Sequence, residues 1–105
     1  MFARLLTVNL GPNQHNIAEN LSYRWYAAVS TLPGFIDVNF LADHELGEYG
    51  YISYWETIEY ARSAGGDVGP QLTEAIKKYG KGSPRIRVYE VIEPRQTSEE
   101  SPGSP

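Results

Sequence analysis

The stretch Gly47-Glu-Tyr-Gly-Tyr-Ile-Ser-Tyr-Trp-Glu-Thr-Ile-Glu-Tyr-Ala61 places five aromatic residues in fifteen positions. Its first half, Glu48 to Trp55, alternates in the period-two manner of a strand, with Tyr49, Tyr51 and Trp55 in one row and Ile52 and Tyr54 in the other. Large apolar groups on both rows mean that a sheet built on this strand is to be covered on both faces. Which elements do the covering decides the architecture.

Upstream, Phe2 to Leu10 is short and rich in apolar residues and ends at Gly11-Pro12, which reads as a first strand closed by a turn. From Asn13 the period changes. Ile17, Leu21, Trp25, Ala28, Val29 and Leu32 recur at spacings of three and four, the apolar stripe of a helix of about five turns. Asn13, or Asn16 with Glu19 three residues on, is the expected cap, and Pro33-Gly34 the stop. Gly34 to Ala42 reads as a second strand, with Ile36, Val38 and Phe40 in one row and Phe35 and Leu41 in the other. The turn Asp43-His44-Glu45-Leu46-Gly47 joins it to the aromatic strand in a hairpin.

Downstream, a helical segment begins near Thr57, is expected to break at Gly65-Gly66-Asp67-Val68-Gly69-Pro70, and resumes from Gln71 to Tyr79. A break there suggests a lid. Arg85 to Ile92 reads as the fourth strand, with Ile86, Val88 and Ile92 opposing Tyr89 and Val91. Residues 94–105 hold almost no apolar group and read as a disordered tail behind one domain at 1–93. The order β-α-β-β-α-β is the ferredoxin-like α+β arrangement, an antiparallel four-stranded sheet with both helices on one face. The second face is then a contiguous apolar patch, of the size that marks an interaction surface.

Composition narrows the chemistry. The 105 residues include no cysteine, which excludes disulfides, thiolate nucleophiles and cysteine metal sites. A chain of this length buries only roughly 60 to 65% of its unfolded surface, so a partner adds useful burial. No run is apolar enough to span a membrane and Met1-Phe-Ala-Arg lacks the zones of a secretory signal, so the expected location is cytoplasmic. A net charge of −4 disfavours polyanions, and Lys77, Lys78 and Lys81 read as cations at a helix C-terminus. Asp43, His44, Glu45 and Glu48 lack metal-ligand spacing and read as a solvated turn, with no metal expected. Gly65-Gly66 lacks the Lys-Ser/Thr ending of a phosphate loop, and no nucleophile-elbow signature occurs.

Two families share this topology. Tyr49-Gly-Tyr-Ile-Ser-Tyr54 resembles the end of the octamer of RNA-recognition motifs, which stack bases on aromatic residues of their first and third strands. Here Glu48 stands where a phosphate would lie and Leu6 takes the first-strand aromatic position, so nucleic acid is not the expected partner. Trp55-Glu56-Thr57 with Glu59 and Ala61, Gly34-Phe35 at the second strand, Gly47-Glu48-Tyr49-Gly50 before the third and Arg87-Val88-Tyr89-Glu90-Val91 at the end resemble the antibiotic biosynthesis monooxygenase-type family over most of residues 2 to 93. That resemblance implies a dimeric α+β barrel, a homodimer whose sheets pack face to face across the open side. It also implies a pocket between helices and sheet lined by Trp55, with Tyr51 at the position where some oxygenase members carry asparagine. Haem-degrading members use a histidine after the tryptophan, and residues 57 to 79 contain none.

The implied activity is cofactor-independent monooxygenation of an aromatic or phenolic molecule, needing a dry pocket and donors for a developing oxyanion. Trp55 and Tyr51 are the candidate catalytic residues. Trp55, Tyr51, Tyr54, Asn39 and Trp25 are the candidate ligand-binding residues, through indole, hydroxyl and amide groups. A non-enzymatic ligand-binding or interaction protein fits the same aromatic lining. Orientation discriminates: Tyr49, Tyr51 and Trp55 under the helices line a pocket, and on the other face they form a stacking platform.

Overall fold

The computed structural model describes residues 1–92. The elements follow in the order β1 (Phe2–Asn9), α1 (His15–Val29), β2 (Phe35–Asp43), β3 (Glu48–Trp55), α2 (Ile58–Tyr79) and β4 (Arg85–Glu90). All pairings are antiparallel and the sheet order is β2-β3-β1-β4, the ferredoxin-like topology expected from the sequence. The expected tail lies outside the described residues.

Alternation along β3 decides which residues face the helices. Tyr49, Tyr51, Ser53 and Trp55 are buried, and the cross-strand partners of the first three on β1 are Val8, Leu6 and Arg4. These residues share one face, because directly opposite residues in an antiparallel pair point the same way. From the helix side, Trp25, Val29, Ala61 and Ala64 complete the core. Ile17, Leu21, Ala28 and Leu32 pack against it, so the helical stripe is used as its spacing predicts.

Four details differ from the sequence reading. On β2 an irregularity between Phe35 and Asp37 resets the alternation. Phe35 thereby joins the Val38 and Phe40 row, opposite Trp55 with ring centroids 5.6 Å apart, and Ile36 is left 46% exposed. Helix α1 is shorter than five turns and has no side-chain cap, because Asn13 sits in the left-handed region at φ 60 and the entry is capped from elsewhere in the fold. Helix α2 runs unbroken through residues 65–70. Glycine and proline lower interior helix propensity by about 1 and 3 kcal/mol, but the first turns are anchored by Ala61 and Ala64 and the last carries Lys77 and Lys78. Tertiary anchoring overrides the local preference, and the expected lid has no break to hinge on. Strand β4 ends at Glu90, which leaves Ile92 beyond the sheet and 84% exposed.

The opposite face carries Ala3, Leu5, Ile52, Tyr54 and Tyr89, with Asp37, Asn39 and Arg87 among them by register. Tyr89 is 51% exposed, and no helix among the described residues covers this side. At the β2–β3 end, three backbone bonds strap the hairpin to the β1–α1 loop and to its own turn. Leu10 N–H donates to the Gly47 carbonyl at 2.8 Å, Asn13 N–H to the His44 carbonyl at 3.0 Å, and Gly47 N–H to the Asp43 carbonyl at 2.8 Å. Gly47 has φ 77, and a Cβ there would overlap the carbonyl of Gly11. Gly47→Ala is expected to destabilise the fold by more than about 1 kcal/mol, read as a lower midpoint in urea unfolding at unchanged slope.

Candidate functional site

Helix α1 spans the sheet over the Tyr49–Tyr51 end of β3 and leaves a cavity of about 380 Å³ beneath it. That volume is near the lower end of small-molecule sites, about 300–1,000 Å³. Its floor comes from Leu6, Val8, Tyr49 and Tyr51, and one wall from Trp25 and Phe40. Its polar side comes from His15, Asn16, Glu19 and Ser22 of α1 and His44 of the hairpin.

That wall is an aromatic cluster. Trp25 stacks on Tyr51 with centroids 3.8 Å apart at 26°, and Phe40 meets them edge-on at 6.1 Å and 6.5 Å. Offset stacking and edge contacts are the favoured geometries of aromatic quadrupoles and contribute about 0.5–1.5 kcal/mol per pair beyond burial. The indole Nε1 of Trp25 is buried and has no hydrogen-bond partner among the described residues. A buried donor left unmade costs about 1–3 kcal/mol.

Polar atoms also gather where β1 meets β3. Arg4 is 7% exposed, donates Nη1 to the Ala61 carbonyl at 3.3 Å, and has a buried Nε without a partner among the described residues. Burial pushes the Tyr51 pKa above its ordinary value of 10.0, against a smaller downward pull from the hydrogen bond and charge of Arg4. Trp55, 1% exposed, donates its indole N–H to Ser53 Oγ at 2.9 Å, and Ser53 Oγ donates to the Arg4 carbonyl at 3.4 Å.

The mouth depends on one hydroxyl. Gln14 N–H, an orphan donor at the start of α1, donates to Tyr49 Oη at 3.0 Å, and Tyr49 Oη lies 3.0 Å from His44 Nδ1. His44 in turn stacks on His15, centroids 3.4 Å apart and planes 8° from parallel.

The candidates from sequence therefore separate. Tyr51 and Trp25 meet at the cavity. Trp55 points under the helices on the same face but lies outside the lining, with its polar atom bonded internally. Tyr54 and Asn39 lie on the other side of the sheet, because their positions have the opposite parity to Tyr51. The stacking platform of an RNA-recognition motif is not formed, since Tyr49 and Tyr51 are buried beneath the helices. His15, His44 and the capping role of Tyr49 were missed. No spacing signal could have found them, because residues 15 and 44 meet only through the hairpin strap. No group of three metal-ligating side chains occurs among the described residues, and no helix among them is long and apolar enough to cross a membrane.

The raised Tyr51 pKa has a measurable consequence. As pH rises past about 10 the unfolded phenol ionises before the buried one, so the folded state holds the extra proton and stability falls through that window. Tyr51→Phe removes this linkage. Chemical unfolding followed across the alkaline range is expected to give a shallower loss of stability for the variant than for the parent.

A scan against family models finds no match, and a search of curated proteins finds none. Solved structures do match. A protein of unknown function from Nitrosomonas europaea superimposes with TM-score 0.75 at 10% identity, covering 92% of this chain and 94% of that one. A monooxygenase, ActVA-Orf6 of Streptomyces coelicolor in complex with the ligand nanaomycin D, gives 0.74 at 20% identity, covering 92% of each chain. SnoaB, a cofactor-independent oxygenase from Streptomyces nogalater, gives 0.65 at 22% identity over 94% of this chain and 95% of that one. The fold of this chain is thus the ferredoxin-like α+β fold of the antibiotic biosynthesis monooxygenases.

Proposed function

We propose that this protein binds a flat aromatic or phenolic molecule under α1 and oxygenates it without a cofactor. The observation that carries the reading is the cavity itself, walled by the Trp25–Tyr51 stack and edged by the polar side chains of His15, Asn16, Ser22 and His44. An aromatic wall favours a planar ring, and a polar edge favours an oxygen on that ring. Its likeness in fold to ActVA-Orf6 and SnoaB supports the oxygenase chemistry.

The reaction asks little of the protein. A ring CH₂ made acidic by neighbouring phenolic groups loses a proton, and the carbanion passes electrons to dioxygen and forms a C–O bond. The resulting peroxide loses water as its O–O bond breaks, leaving a carbonyl. One dioxygen is consumed, one oxygen atom stays on the substrate and the other leaves as water. Apolar walls that exclude water and fixed donors that meet the oxyanion are the groups this sequence of steps uses. In this reading Tyr51 and Trp25 are the cavity's own contacts to the ring, and Trp55 supports the sheet beneath them.

The same proposal extends to assembly. The uncovered sheet face, with Leu5, Ile52, Tyr54 and Tyr89, is the surface on which a second copy would pack to complete an α+β barrel. Tyr54 and Asn39 then belong to the interface. Sedimentation equilibrium is expected to give a dimer, and Ile52→Asp a monomer, because an unpaired carboxylate in an apolar interface is strongly disfavoured.

Catalysis is tested with an oxygen electrode and a hydroxylated anthrone, no cofactor being added. Oxygen uptake equal to carbonyl formed is expected, with Trp25→Ala lowering kcat/KM by about tenfold for the loss of the ring that walls the cavity. Tight binding with no oxygen uptake would identify a ligand-binding protein instead.

A further inference from the structure

The polar side of the cavity contains a histidine held against a tyrosine hydroxyl. Tyr49 is 4% exposed, and its hydroxyl already accepts one hydrogen bond. Only two groups among the described residues lie within hydrogen-bond distance of Tyr49 Oη. One is Gln14 N–H, a donor, which cannot take a proton. The other is His44 Nδ1, at 3.0 Å. A phenol that donates to Nδ1 leaves a neutral His44 with its own proton on Nε2.

The rest of the ring is also accounted for. His15 covers one face of His44 at 3.4 Å and sets the ring plane. Tyr49 occupies Nδ1, and backbone bonds from Asn13 and Leu10 fix the hairpin that carries the residue. What remains for a ligand is the Nε2–H edge of a side chain that lines the cavity.

We propose that His44 is a hydrogen-bond donor of the cavity, held as the Nε2–H tautomer by the Tyr49 hydroxyl, and that it selects aromatic ligands bearing an acceptor oxygen at the mouth. The preferred class is a quinone or phenolate over an unsubstituted ring. Tyr49 is a positioning residue, acting through His44. The inference rests on the cavity being a ligand site, as proposed above.

The test uses the full chain. Imidazole ¹⁵N shifts at mildly alkaline pH report the tautomer without any ligand, and the Nε2–H form is expected for His44. Tyr49→Phe keeps the ring in the floor but removes the hydroxyl, and is expected to give a mixture of tautomers with the fold retained by circular dichroism. Naphthoquinone and naphthalene are then titrated as matched probes with and without oxygens. His44→Phe is expected to weaken naphthoquinone about tenfold while naphthalene is unchanged, and His44→Gln to restore part of the loss. A Nδ1–H tautomer in the parent protein overturns the inference, as does an unchanged preference between the probes in His44→Phe while both still bind. Failure of both probes to bind the parent chain would overturn the cavity reading and this inference with it. That outcome is distinct from the tautomer result, which stands on the protein alone.

Discussion

The registration of β3 against β1 is the constraint on which the rest of the molecule depends. Pairing Tyr49 with Val8, Tyr51 with Leu6 and Ser53 with Arg4 puts the phenols of the odd-numbered row under the helices. A slip of one residue would send every one of those side chains to the other face and bring Ile52 and Tyr54 inward. Tyr49 would then not reach the start of α1, the Trp25–Tyr51 stack would not form, and the cavity would lose its floor. The hairpin strap and the left-handed Gly47 hold that register at the end where the cavity opens.

Along the same row the strand performs two different jobs. At the Trp55 end the core is closed: Phe35 meets Trp55 edge-on, Ala61 and Ala64 bring α2 close to the sheet, and the indole, Ser53 hydroxyl and Arg4 carbonyl bond to one another. At the Tyr49 end α1 stands over a cavity walled by the Trp25–Tyr51 stack. The small side chains of Ala61 and Ala64 let α2 approach the sheet closely at one end, whereas α1 meets it through the large indole of Trp25 at the other.

Much of the fold could be read from periodicity because its elements announce themselves locally. The period-two run at Glu48–Trp55 and the three-and-four spacing from Ile17 to Leu32 name a strand and a helix without reference to anything distant. The apolar groups on both sheet faces also follow from alternation alone. The departures came where tertiary forces override local preference: α2 passes through a glycine-rich stretch that its own propensities would interrupt, and the irregularity at Phe35 moves a ring between faces. The missing side-chain cap of α1 belongs with these, since its orphan N–H is taken by a tyrosine 35 positions away.

Of the site, the sequence by itself determined that an aromatic strand would lie in a two-faced sheet and that Tyr51 and Trp25 were large rings able to wall a pocket. Local pattern carries that information because side-chain direction repeats with the backbone period. Only the tertiary structure decided that Trp55 is closed off, that Tyr54 and Asn39 face away, and that His15, His44 and Tyr49 converge. Parity relative to the helices and the meeting of residues far apart in the chain are set by how the sheet is paired and covered. No single segment encodes them.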